Sequence, residues 1–185
     1  MIDEKQHTRL SKFISLVLRH KPETIGLELD QEGWADVNEL LEKMNARQKR
    51  IDMETLNLIV ENNNKKRFKF NEDRTRIRAS QGHSIQVDLG YCAVEPPEVL
   101  YHGTARQNTG NIFKTGISKG SRHHVHLSLD VETAINVGQR HGKPVVLTIK
   151  AKAMHNDGYE FYRSDNDVWL TENVPVQYIL MENYS

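Results

Sequence analysis

Leu10, Phe13, Ile14, Val17 and Leu18 recur at the spacing of one helix face, and Pro22 closes the stretch because the residue before a proline is pushed out of helical backbone. A first helix ending around Arg19 and His20 follows. Leu27 and Leu29 alternate with polar neighbours ahead of a Gly33-Trp34 turn, which predicts a short extended piece. Asp36 and Glu39 have the spacing of an N-cap pair in front of Val37, Leu40, Leu41 and Met44, and predict a second helix. Asp52 is placed to cap a third through Leu56, Ile59 and Val60, which Asn62, Asn63 and Asn64 should end. Phe68 and Phe70 then alternate with Lys69, a turn falls at Asn71 to Arg74, and Arg74 to Arg78 returns as a second strand. Helices followed by a basic hairpin predict a winged helix.

From Gln81 to Glu98, Gly82, Gly90 and the pair Pro96-Pro97 interrupt any regular element, so a linker is expected there. Beyond it the pattern is strand-rich. Val99 to His102, Val125 to Leu129, Val145 to Ala151, Tyr159 to Phe161, Val168 to Thr171 and Val176 to Met181 read as strands, with helices near Gln107 to Lys114 and Val131 to Arg140. The expectation is an α+β chain with one lobe over residues 1–80, a linker over 81–98 and a second lobe over 99–185.

Composition narrows the functional classes. Cys92 is the only cysteine, so an intrachain disulfide and a cysteine-based zinc site are excluded, and a reducing cytoplasm fits. The charged start MIDEKQH and the lack of an apolar run near the roughly 20 residues of a bilayer span predict an untargeted protein off the membrane. A monomer is expected. A formal net charge of zero argues against polyanion binding by the whole surface. The exception is local: Lys65, Lys66, Arg67, Lys69, Arg74, Arg76 and Arg78 face only Glu72 and Asp73. That stretch is either a hairpin edge kept from aggregating by its cations or a nucleic-acid contact.

Three other strings carry candidate chemistry. Leu18-Arg19-His20-Lys21-Pro22 gathers cations at a helix C-terminus, which the helix dipole favours as ordinary capping, but Arg19 could equally fork a phosphate while His20 donates a hydrogen bond or proton. Tyr101-His102-Gly103-Thr104 ends a predicted strand. A glycine there would let a ligand approach the backbone, and the histidine could bond a ribose hydroxyl. In Ser121 to Ser128, strand alternation puts His124 and His126 on one face and His123 on the other, too few converging ligands for zinc, so no metal is expected.

Taken in order, SKFISLVLRHKPETIGLELDQEGWADV, KKRF, IRASQGHS, LYHGT, SRHHVHLS, GQRHG, VVLTIKA and VWLTENVP resemble the RNA 2'-phosphotransferase (KptA/Tpt type) family over nearly the whole chain. The resemblance implies a winged-helix lobe that receives RNA and an ADP-ribosyltransferase-like lobe whose split antiparallel sheets hold NAD+. It places a catalytic basic quartet on Arg19, His20, Arg67 and Arg122, with the chemistry in a cleft between lobes. It assigns NAD+ contacts to His102, Gly103 and Thr104, with His102 on the adenosine ribose and the Gly103 backbone on the nicotinamide amide. Further contacts fall on His126, near the nicotinamide ribose, on Ser128, and on Val168, where many ADP-ribosyltransferases carry glutamate. RNA contacts fall on Lys21, Lys66, Lys69 and Arg74.

The missing glutamate fits a nucleophile that is already ionised, because a phosphate monoester needs no base to attack the ribose carbon. The implied reaction has two steps: the RNA 2'-phosphate displaces nicotinamide, then the ribose 2''-OH attacks phosphorus and expels the RNA 2'-oxygen. Arginine forks would serve as the electrophilic clamp on the phosphoryl oxygens. Two rivals stand beside this reading, an ADP-ribosyltransferase that stops after one step and a winged-helix regulator that senses NAD+. The third helix, Met53 to Asn63, offers only acidic groups and asparagine to base edges, which disfavours the regulator.

Overall fold

The structure is a computed structural model and describes residues 3–62 and 66–181. The expectations at Asn63, Asn64 and Lys65 therefore lie outside the described residues. The chain is an α+β protein with small antiparallel sheets, divided into one compact unit up to Gly90 and a second from Tyr91.

In the first unit each described α-helix starts at an aspartate. The Asp3 carboxylate accepts the Gln6 N–H at 2.6 Å ahead of α1 (Glu4–Arg19), Asp36 accepts that of Glu39 at 2.9 Å ahead of α2 (Val37–Ala46), and Asp52 accepts that of Thr55 at 2.8 Å ahead of α3 (Met53–Glu61). Such a cap is worth about 1 kcal/mol. The three helices close on Leu10, Ile14, Val17, Leu18, Leu40, Met44, Leu56 and Ile59, all buried, each adding about 1.5–3 kcal/mol of apolar burial. A small sheet completes that core, in the order β1 (Ala35–Asp36), β3 (Arg76–Ala79), β2 (Phe68–Phe70), with Phe68 and Ile77 buried.

Two expectations change here. Leu27 and Leu29 lie outside any strand, because the Asp30 side chain gathers the N–H groups of Glu32 and Trp34 at 3.0 and 2.9 Å into a turn, with Gly33 at φ 79°. The extended piece shrinks to Ala35 and Asp36. The return strand of the hairpin starts at Arg76 rather than Arg74, since Asp73 binds Thr75 through both backbone and hydroxyl and Arg74 turns at φ 58°. Residues 81–90 are irregular but held to this unit: His83 and Val87 are buried, the Ser84 N–H donates to the Arg19 carbonyl at 2.9 Å, and the Asp88 N–H to that of Gln31 at 2.7 Å.

The second unit is built on two three-stranded antiparallel sheets. One has the order β11 (Ile179–Met181), β7 (Pro144–Ile149), β4 (Leu100–Ala105); the other has β6 (Val125–Leu127), β9 (Trp169–Thr171), β8 (Phe161–Arg163). They touch at one bridge, where Tyr101 and Ser128 exchange both backbone hydrogen bonds at 2.8 and 2.9 Å. A short pair, β5 (Ile117–Ser118) with β10 (Asn173–Val174), and the helix α4 (Thr109–Thr115) flank them. Leu100, Leu127, Leu147, Ile149, Phe161 and Trp169 fill the core. The strand expected to run through Ala151 stops at Ile149. Ala151 and Met154 instead bury one side of a short helix, α6 (Ala151–Asn156). The last expected strand opens as a turn over Val176–Tyr178, after Pro175, before β11.

Helix α5 (Val131–Gly138), capped by the Asp130 carboxylate on the Thr133 N–H at 2.6 Å, lies directly on β4. A Cβ built on Gly103 would stand 1.7 Å from the Ala134 carbonyl oxygen, and one on Gly138 would stand 2.8 Å from that of Thr104. On an isolated helix Gly→Ala is stabilising by up to about 1 kcal/mol. Here Gly138→Ala should reverse the sign and destabilise by about 1–3 kcal/mol through overpacking. Chemical denaturation would decide, a raised midpoint showing that the contact has slack.

Candidate functional site

In the first unit, Arg19 and His20 stand at the end of α1, where the His20 and Lys21 N–H groups share the Leu16 carbonyl at 3.0 and 2.9 Å. The Arg19 guanidinium donates to the Arg67 carbonyl at 3.3 Å, and the Ser80 N–H reaches the same oxygen at 2.9 Å. His20 Nδ1 lies 2.8 Å from the Ser84 hydroxyl, whose own backbone N–H holds the Arg19 carbonyl. Arg67, far in sequence from the adjacent Arg19 and His20, is thus drawn to them beside two serines of the segment after β3. Neither Ser80 nor Ser84 was singled out from the sequence, since nothing marks a serine in a polar loop until its partner is known.

The hairpin cations are largely engaged at home. Arg78 is 8% exposed with its guanidinium 4.6 Å from the Trp34 ring centroid, and Lys69 is 5.8 Å from the same ring. Arg76 pairs with Asp30 at 2.7 Å, and Arg74 lies 3.5 Å from Glu61 and 5.7 Å from the Phe70 centroid. Lys66 is exposed at φ 40°, its carbonyl taken by the Ser80 hydroxyl at 2.7 Å, and Lys21 is exposed.

In the second unit the candidate residues gather beside the Tyr101–Ser128 bridge. Strand alternation sends Gly103 toward α5 and His102 and Thr104 to the other face. The space freed at Gly103 is therefore filled by α5, and a ligand could meet that residue only through its backbone. The His102 Nδ1–H donates to the His126 carbonyl at 3.1 Å. Burial pushes the His102 imidazole below its usual pKa against that hydrogen bond, and the Arg122 charge adds to the shift. The ring is thus held neutral, with Nε2 as an acceptor. Arg122 donates to His126 Nδ1 at 2.9 Å, which leaves the proton of a neutral His126 on Nε2. Desolvation, with the charge of Arg140 in the GQRHG turn, lowers the Arg122 pKa, yet an arginine stays cationic. Among the described residues no carboxylate pairs with Arg122, so an anion could settle there.

Thr104 is buried and takes a hydrogen bond from Asn108 at 3.3 Å. Ser128 is fixed by the bridge, and Val168 precedes β9, whose register with β6 runs toward Ser128. His124 packs against the rings of Tyr162 and Tyr91 at centroid distances of 5.3 and 6.2 Å, an aromatic role its sequence context did not suggest. Among the described residues no group of three or more histidine, cysteine or acidic side chains is placed to hold a metal.

These two clusters offer basic groups in one unit, and a neutral acceptor, a donor and a cation in the other. That is the equipment of a group-transfer enzyme acting on a phosphorylated substrate. The sequence matches the family described as RNA 2'-phosphotransferase, Tpt1 / KptA family, over residues 5–173. It is 58% identical over 170 residues to a "Probable RNA 2'-phosphotransferase" of Flavobacterium johnsoniae, covering 92% of this chain and 93% of that one. Proteins of the same description from Fusobacterium nucleatum (56% identical; 92% and 96% covered) and Agrobacterium fabrum (54%; 93% and 92%) match similarly. The chain belongs to the Tpt1/KptA family of RNA 2'-phosphotransferases and is a transferase.

The His102 shift has a consequence for stability. With its folded pKa below the unfolded value of 6.5, the unfolded chain binds the proton more tightly. The contribution of neutral His102 is therefore complete above about pH 6.5 and is lost as pH falls through the depressed folded value. His102→Gln should flatten that acid limb of the stability profile. In the parent, NMR titration should find the imidazole neutral at pH 6.5, and a ring that protonates at or above the ordinary value would refute the assignment.

Proposed function

We propose that this chain removes a 2'-phosphate from RNA with NAD+ as co-substrate, leaving 2'-OH RNA, nicotinamide and ADP-ribose 1'',2''-cyclic phosphate. In this reading the first unit is a winged-helix lobe that receives RNA, with Lys21, Lys66, Lys69 and Arg74 as contacts. The second is an ADP-ribosyltransferase-like lobe that holds NAD+ through His102, Gly103, Thr104, His126, Ser128 and Val168. No metal takes part, the protein works as a cytoplasmic monomer, and spliced tRNA is one source of such phosphates. Among the described residues, no helix is long and apolar enough to cross a membrane.

One observation carries the reading: the Arg122 guanidinium sits 2.9 Å from His126 Nδ1. A phosphate bound by Arg122 would lie beside the histidine assigned to the nicotinamide ribose, which is where a phosphoryl nucleophile must stand to attack that sugar. The neutral Nε2 of His102 suits a ribose hydroxyl, which can donate to it.

The first step joins a 2'-phosphate oxygen to the ribose C1'' as the bond to nicotinamide breaks and its electron pair leaves with the ring nitrogen. An anion meets a cationic leaving group, so an arginine donor mainly orients it. In the second, the 2''-OH loses its proton and attacks phosphorus, and the RNA 2'-oxygen leaves and takes up a proton. Negative charge builds on phosphoryl oxygens, where arginine donors stabilise most. In this reading His20, whose Nδ1 lies 2.8 Å from the Ser84 hydroxyl, would donate to the phosphate or to the leaving oxygen.

Incubation with a 2'-phosphorylated oligonucleotide and NAD+ should yield dephosphorylated RNA and the cyclic phosphate. If the products stop at ADP-ribosylated RNA, the chain is an ADP-ribosyltransferase. Arg19→Ala or Arg67→Ala should accumulate RNA joined to ADP-ribose through its 2'-phosphate. The second step would slow by about 2.7–4 kcal/mol, by analogy with loss of an oxyanion donor. Equal loss of both steps, with no slower-migrating NAD+-dependent band in single turnover, would reduce these arginines to RNA binding. His102→Ala, in contrast, should impair the first step and let no adduct build up. Unchanged NAD+ affinity and nicotinamide release in that variant would remove His102 from the site.

A further inference from the structure

We infer that the exposed face of α1 is a track for the RNA strand that flanks the 2'-phosphate, with Lys5, Arg9 and Lys12 as its backbone contacts. This rests on the phosphotransferase reading. At about 100° per residue, Lys5, Arg9, Lys12 and Arg19 fall within an arc of roughly 80° on one side of the helix. The opposite side carries the buried Leu10, Ile14, Val17 and Leu18. The stripe runs about 21 Å, at 1.5 Å per residue, from Lys5 to Arg19. It therefore leads from the helix start straight to the cluster assigned to the phosphate.

A solvated helix face would use charge differently. Oppositely charged pairs three or four residues apart support a helix, and like pairs oppose it. Here Lys5 and Arg9 are four apart, Arg9 and Lys12 three apart, and Lys5 stands in the first turn, where the helix dipole disfavours a cation. All three are exposed and border a concavity with Glu4 and Thr8, and among the described residues none makes an ion pair. The hairpin differs: its Arg74 and Arg76 already face carboxylates, and its Arg78 is buried against Trp34. Three cations against the single carboxylate of Glu4, none of them in an ion pair among the described residues and all aligned on the arginine assigned to the phosphate, fit a polyanion laid along α1. Phosphates of an RNA strand supply that charge at every nucleotide.

The test compares two substrates, a 2'-phosphorylated dinucleotide and a 2'-phosphorylated decamer, with the triple variant Lys5→Gln, Arg9→Gln, Lys12→Gln. The variant should raise KM for the decamer on the order of tenfold and leave its kcat unchanged. Its dependence of log affinity on log salt should be shallower by about 2, since each contact to a single strand contributes about 0.7. Kinetics on the dinucleotide should not change. The charge-preserving variant Lys5→Arg, Lys12→Arg should behave as the parent, and Arg9→Glu alone should raise the decamer KM. A decamer KM and salt slope equal to the parent's would overturn the inference. So would equal losses on both substrates, which would mean that α1 supports the fold and not the strand. A parent that removes no 2'-phosphate from either substrate would instead bring down the phosphotransferase reading itself.

Discussion

Helix α5 and strand β4 can meet as they do only because two side chains are missing. At Gly103 the nearest backbone oxygen of the helix would be 1.7 Å from a Cβ, and at Gly138 the nearest backbone oxygen of the strand 2.8 Å. Closing that side of β4 with a helix backbone commits the opposite side to His102 and Thr104 by strand alternation. The bridge between Tyr101 and Ser128 then sets β6 alongside, so that the His126 carbonyl meets the His102 ring. From there Arg122 follows, since its guanidinium is directed by His126 Nδ1. One helix–strand contact thereby orders a chain of groups, each oriented by the one before.

The first unit brings its candidate cations together by other contacts. Arg19 is held by a backbone carbonyl, and His20 by a hydroxyl. Both contacts fix the direction of the side chain through a neutral group. On the hairpin, Asp30, Glu61 and the Trp34 and Phe70 rings engage the cations. A run of basic residues in sequence is therefore a poor guide to where positive charge is on offer.

Much of the helical framework was legible in the chain because its signals are local: Asp36 and Asp52 cap the helices that their spacing predicted, and Pro22 follows the helix it was expected to end. Strand limits were less so. Leu27 and Leu29 have the alternation of a strand, but Asp30 and Gly33 bind the backbone into a turn, and a side-chain hydrogen bond of that kind leaves no trace in hydrophobic periodicity. Of the candidate site, the histidines and arginines stood out by type. What holds them did not: Ser80 and Ser84 act across the fold on Arg67 and His20, and the role of Gly103 is set by Ala134, 31 positions away.

Residues 81–90 have little regular structure, yet Ser84 and Asp88 tie them by their backbone to Arg19 and Gln31, and His83 and Val87 are buried. A segment with the composition of a spacer is in fact a splint on the end of α1. Splices, tags or permuted termini placed within it would be felt at Arg19 and His20, whereas the exposed turn around Glu72 offers a break whose ends are already held by the β2–β3 ladder.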